Sequence, residues 1–119
     1  MKLLIVDDSL IMRRAIERTL VSTRFTEIRV AANGRLGVEA YKELRPDVVT
    51  MDITMPDMDG LTAVELILQL DKNALILMVS ALADKPTAVE AVKRGASGFL
   101  LKPITAESLL EAIDDILED

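Results

Sequence analysis

The 119 residues include no cysteine, no histidine and no tryptophan, and the aromatics amount to one tyrosine and two phenylalanines. Without cysteine there can be no disulfides and no thiolate metal sites. Without histidine there is no imidazole for acid–base catalysis. The scarcity of aromatics means that aliphatic side chains must fill the core, and the chain is 50% apolar, enough for one of good size. Positive charge is in the minority too, with 14 Lys and Arg against 20 Asp and Glu, a net of −6. Nucleic-acid binding depends on clustered cations that displace counterions, so a nucleic acid is not an expected partner. No apolar run reaches the length of a membrane span. The opening run Met1–Val6 is cut off by Asp7-Asp8, too early for a signal peptide. These features lead us to expect a soluble cytoplasmic protein without a membrane partner, its length suited to one compact domain.

What the sequence does contain is an alternation of short apolar runs and helical patterns. Leu3–Val6 reads as a buried strand, followed from about Ser9 by a helix with Met12, Ile16 and Leu20 on one face. Glu27–Val30 alternates polar with apolar and reads as a half-exposed edge strand. Asn33-Gly34 is a turn signal, and Val38 and Tyr41 mark the buried side of a second helix. Asp47–Met51 is a third strand leading into Asp52. A loop then runs to Gly60, and Leu61, Val64 and Leu68 stripe a third helix. Leu75–Val79, the most apolar run, is expected inside the sheet. A fourth helix runs from near Asp84 to a stop at Gly95, Phe99–Leu101 is the last strand, and Thr105 caps a final helix bearing Leu109, Ile113, Ile116 and Leu117. Five strand–helix units with right-handed crossovers predict an α/β protein with an open, doubly wound parallel sheet.

In such a sheet all the strand carboxyl ends share one edge, where ligands bind. The first strand delivers Asp7 and Asp8 there, the third Asp52, the fourth Ser80 and the fifth Lys102. Crowded carboxylates repel, and a hard divalent cation such as Mg2+ relieves the repulsion while binding phosphate oxygens. Phosphoryl transfer asks mainly for positioning and charge neutralisation, which this set could supply around a phosphoryl group on Asp52.

The run Leu4-Ile5-Val6-Asp7-Asp8-Ser9, the stretch Met51-Asp52-Ile53-Thr54-Met55-Pro56-Asp57-Met58-Asp59-Gly60 and the pairs Ser80-Ala81 and Lys102-Pro103 resemble the motifs of response-regulator receiver domains of the CheY-like, single-domain kind. The resemblance spans essentially the whole chain and implies a single receiver domain over residues 1–119, flavodoxin-like, with strand order 2-1-3-4-5 and five helices. It implies Asp52 as phosphoacceptor and a histidine kinase as donor. It also implies a Mg2+ ion held by Asp8, Asp52 and the backbone carbonyl of Thr54, with Asp7 acting partly through water. Lys102 would pair with the phosphoryl oxygens, Ser80 would donate a hydrogen bond to them, and Phe99 would stand in the place of the switch aromatic. The Lys102-Pro103 bond is commonly cis in this family. A downstream target would dock on the face made by the fourth helix, fifth strand and fifth helix, in chemotaxis or in a phosphorelay. Thr54 and Leu82 would flank the approach of water to the phosphoryl group, and neither offers an acid or amide to orient it, so slow loss of phosphate is expected.

Other readings fit less well. Asp57-Met58-Asp59-Gly60 hints at a calcium loop, but its first position would be Met55 and its last Leu66. No glycine-rich phosphate loop follows the first strand. An aspartyl-phosphate phosphatase would need a second acid where Thr54 stands, so no enzyme beyond the domain's own phosphotransfer is expected. The chain stops after the last helix, so no output domain is expected either.

Overall fold

The computed structural model describes residues 1–21, 24–81 and 85–118. Strands and helices alternate: β1 (Lys2–Val6), α1 (Leu10–Leu20), β2 (Glu27–Ala31), α2 (Gly34–Leu44), β3 (Val48–Met51), α3 (Gly60–Leu70), β4 (Ile76–Ser80), α4 (Lys85–Lys93), β5 (Gly98–Leu101) and α5 (Ala106–Leu117). The strands form one parallel sheet in the order β2-β1-β3-β4-β5, as expected. Val6 lies opposite both Ala31 and Met51, and Ser80 opposite Leu101, so the carboxyl ends line up along one rim.

Side chains alternate across each strand, so the interior strands feed two cores and read as largely apolar runs, with Thr50 in β3 and Ser80 in β4 as buried polar positions. Leu4, Val6, Val49, Met51, Ile76 and Met78 pack with Val38, Tyr41, Val64 and Ile67. On the other face Leu3, Ile5, Val48, Leu77 and Val79 pack with Ile16, Leu20, Leu109 and Ile113. β2 is an edge strand, and its Val30 is exposed.

Ser9, Asn33, Asp59 and Thr105 each cap a helix by accepting a backbone N–H three residues on. Asn33-Gly34 is therefore a helix start as well as a turn signal. On α3 the fully buried face is Ala63, Val64 and Ile67, while Leu61 and Leu68 of the expected stripe are half-buried flanks. Gly95, at φ +108°, closes the segment after α4 as its position suggested. The expected start of α4 at Asp84 lies outside the described residues.

Tyr41 ties α2 to the end of α3 by donating its hydroxyl hydrogen to Asp71 Oδ2 at 3.0 Å. Burial, aided by that bond and by the charge of Asp71, raises the phenol from 10.0 to about 12. The protonated form is thus favoured by folding. This contribution is complete below pH 10 and is lost as pH rises towards 12. Tyr41→Phe should lower stability at neutral pH by about 1.5 kcal/mol and remove that alkaline loss. With a single tyrosine and no tryptophan, phenolate absorbance checks the claim directly. A native-state midpoint at the ordinary tyrosine value would contradict it.

Candidate functional site

Asp7, Asp52 and Lys102 each follow by two positions a residue on one sheet face: Ile5, Thr50 and Leu100 respectively. Strand periodicity therefore sends all three side chains to the same side of the rim. The backbone ladder runs one residue past the strands to hold them. Asp7 N–H donates to Ala31 O at 3.1 Å, Asp52 N–H to Val6 O at 2.9 Å, and Lys102 N–H to Ser80 O at 2.8 Å.

Lys102 Nζ lies 2.9 Å from Asp7 Oδ2 and 3.5 Å from Asp52 Oδ2. Asp7 is 1% exposed and Asp52 7%, so these are buried charges held in an ion-paired group. Backbone donors complete the carboxylates: Ser9 N–H reaches Asp7 Oδ1 at 2.9 Å and Ile53 N–H reaches Asp52 Oδ1 at 2.8 Å. Arg13 adds a bond to the Asp7 carbonyl at 2.7 Å. Asp8 is exposed, yet one oxygen from each of Asp7, Asp8 and Asp52 falls within a 4.8 Å cluster. Burial, and then the negative charge of Asp7, pushes the Asp52 carboxyl above its ordinary range, with Lys102 and the Ile53 N–H opposing. Three carboxylates served by one ammonium leave excess negative charge at a rim open to solvent through Asp8. An oxygen-liganded divalent cation fits that donor set.

Ser80 is buried at the end of β4, on the opposite sheet face from Asp52 by strand parity. Phe99 is half-buried against the core on that same face. Thr54 is exposed in the loop after Asp52, and the Lys102-Pro103 peptide is cis. Leu82 lies outside the described residues.

The response regulator receiver domain profile matches residues 3–114. The chain belongs to that family. It is 47% identical to the chemotaxis protein CheY of Bacillus subtilis, over 98% of this chain and 97% of the relative. It is 43% identical to a protein-glutamate methylesterase/protein-glutamine glutaminase of Carboxydothermus hydrogenoformans, covering 98% of this chain but 34% of that longer protein. Among solved structures, a CheX–CheY–BeF3–Mg2+ complex from Borrelia burgdorferi contains a chain that superposes with a TM-score of 0.95 at 35% identity, covering 99% of this chain and 90% of that one.

Three features of this receiver domain were not visible in the sequence. Gly60 does more than punctuate the loop: an added Cβ would sit 1.9 Å from the Asp52 carbonyl oxygen. Asn33 Nδ2 donates to Asp57 Oδ2 at 3.2 Å, joining the start of α2 to the loop after Asp52. Thr50 Oγ1, one pleat below Asp52, is buried without a hydrogen-bond partner among the described residues. An orphan hydroxyl opposes folding, so Thr50→Val should raise stability by about 1 kcal/mol in urea denaturation. A loss of stability would mean that the hydroxyl is hydrogen-bonded in solution.

Proposed function

We propose that Asp52 accepts a phosphoryl group from a histidine kinase and that this modification switches the domain's affinity for a downstream protein in a chemotaxis-type pathway. The observation that carries the reading is the buried Asp7–Lys102–Asp52 group, with Asp8 beside it at the open rim. An Asp52 carboxylate oxygen attacks the phosphorus, the bond from phosphorus to the donor nitrogen breaks, and the donor leaves with the electron pair. Lys102 holds positive charge beside the attacking carboxylate and is placed to pair with the incoming phosphoryl oxygens. Asp8, Asp52 and the Thr54 carbonyl would hold Mg2+, with Asp7 acting through water; the bound ion supplies further neutralisation of phosphoryl charge.

Ser80, buried on the face that carries Phe99, is the donor suited to sense a phosphoryl group and pass the change to that ring. The output face would be α4, β5 and α5, where Val89, Val92 and Leu101 stand exposed. The domain is not an enzyme in its own right, since the group it modifies is its own side chain, and Thr54 offers no second acid for a phosphatase. A cytoplasmic location goes with this reading.

Incubation with acetyl phosphate and Mg2+ tests it. The reading expects a mass gain of one phosphoryl group per chain. Rapid turnover of phosphoesters would favour a phosphatase, and no reaction at all would favour a pure interaction module.

The ligand assignment has its own check. Asp8→Ala should weaken Mg2+ binding by more than about tenfold, since it removes a direct oxygen ligand. Because Asp8 is exposed, the metal-free melting temperature should stay near wild type. The wild type should melt higher with added Mg2+, and the variant should lose most of that rise. Equal Mg2+-induced rises in the two proteins would remove Asp8 from the ligand set.

A further inference from the structure

The surface charge of this acidic chain is unevenly shared between two neighbouring helices. α1 carries Arg13, Arg14 and Arg18 against Glu17 alone, whereas α5 carries Glu107, Glu111, Asp114 and Asp115 and no basic residue. The outward face of α1 also bears exposed aliphatics: Leu10 is 51% exposed and Ile11 82%, with Val21 exposed at the helix end. At 100° per residue, Leu10, Ile11, Arg14 and Arg18 fall within one third of the α1 circumference. The same construction places Leu110, Glu107, Glu111 and Asp114 together on α5. Leu110 is exposed, and with Asp114 it lines a cavity of about 210 Å³ alongside Leu20, Arg24 and Phe25, which turns this side of α5 towards α1.

Arg24 and Asp114 already satisfy each other within the chain at 2.5 Å. Arg14 and Arg18 make no ion pair among the described residues, and neither do Glu107 and Glu111. One molecule thus presents, side by side, a basic stripe with exposed Leu10 and Ile11 and an acidic stripe with exposed Leu110. A two-fold axis laid between them would set each stripe against its complement on the second copy, twice over. That is the self-complementary pattern of an isologous interface.

We propose that two copies of this chain associate through α1 and α5, with Ile11, Arg14 and Arg18 of one copy against Leu110, Glu107 and Glu111 of the other. Both aliphatic patches would be covered, and the unpaired charges would find partners of opposite sign. The dimer face shares α5 with the proposed output face but uses its α1 side, and α1 and α5 meet on the far side of the sheet from α4.

Charge reversal tests this without touching either core. Sedimentation of the wild type from about 1 μM to about 1 mM should show a monomer–dimer equilibrium. Arg14→Glu combined with Arg18→Glu makes both stripes acidic, and Glu107→Lys combined with Glu111→Lys makes both basic. Each double variant should melt near wild type and associate more than about tenfold more weakly. Mixing the two variants should restore the dimer, because acidic α1 then faces basic α5 and the reverse. A wild type that stays monomeric throughout would overturn the proposal. So would a variant that dimerises as tightly as wild type, or a mixture of folded variants that does not associate.

Discussion

Gly60→Ala should destabilise the fold by at least about 3 kcal/mol, although it adds a single methyl group in the first turn of a helix. Ordinarily alanine is the better helix former. Here the added Cβ would lie 1.9 Å from the Asp52 carbonyl oxygen, 2.8 Å from its carbonyl carbon and 2.9 Å from Ile53 Cα. All three are backbone atoms, so no flexible side chain can yield. The approach is enforced because Gly60 N–H donates to Ile53 O at 2.7 Å, while Asp59 caps α3 from the adjacent position. Relief requires α3 to retreat or the Asp52 peptide to move, and the second option displaces the proposed phosphoacceptor. Gly37→Ala makes a useful contrast, since there the nearest atoms, at 2.9 and 3.0 Å, belong to the Val6 side chain. Its loss should be nearer 1 kcal/mol, as the valine can shift by a few tenths of an ångström. Urea midpoints at unchanged m-value would measure both. A Gly60→Ala midpoint no lower than that of Gly37→Ala would show that the α3 start has slack.

The same residue shows where the sequence stops being informative. β1, β3 and β4 were legible because strands buried on both faces are apolar at nearly every position, Thr50 and Ser80 being the buried polar exceptions. β2 was legible as an edge because its alternation has no reason to exist in the interior. Asp7, Asp52 and Lys102 could be brought together on paper, since parallel strands end at one rim and a period of two fixes the side on which each emerges. Their separations, and the exposure of Asp8 beside the buried pair, depend on how far the ladder runs past each strand. No pattern of residue types encodes that distance. The α3 stripe was read from its large residues, Leu61, Val64 and Leu68. Ala63, whose small side chain carries little hydropathic weight, is as fully buried as Val64 and Ile67. Gly60, Asn33 with Asp57, and the orphan hydroxyl of Thr50 all depend on contacts between distant segments. A local reading can name such residues as turns or strand positions, but it cannot see what they touch.

If Asp52 itself carries the phosphoryl group, as proposed, Asp52→Asn has the largest effect on function of any single substitution. The substitution keeps the size of the side chain and an oxygen for the Ile53 N–H, but it removes the nucleophilic carboxylate. Lys102 retains Asp7 at 2.9 Å, so the ammonium is not left unpaired. One buried negative charge facing Asp7 is also gone, so the metal-free variant should be at least as stable as wild type. Loss of reactivity could not then be blamed on unfolding. The deciding measurement is intact mass after incubation with acetyl phosphate and Mg2+. Wild type should gain one phosphoryl mass per chain, and folded Asp52→Asn should gain none. Phosphoryl uptake by the variant at the wild-type rate would contradict the assignment and move the acceptor elsewhere.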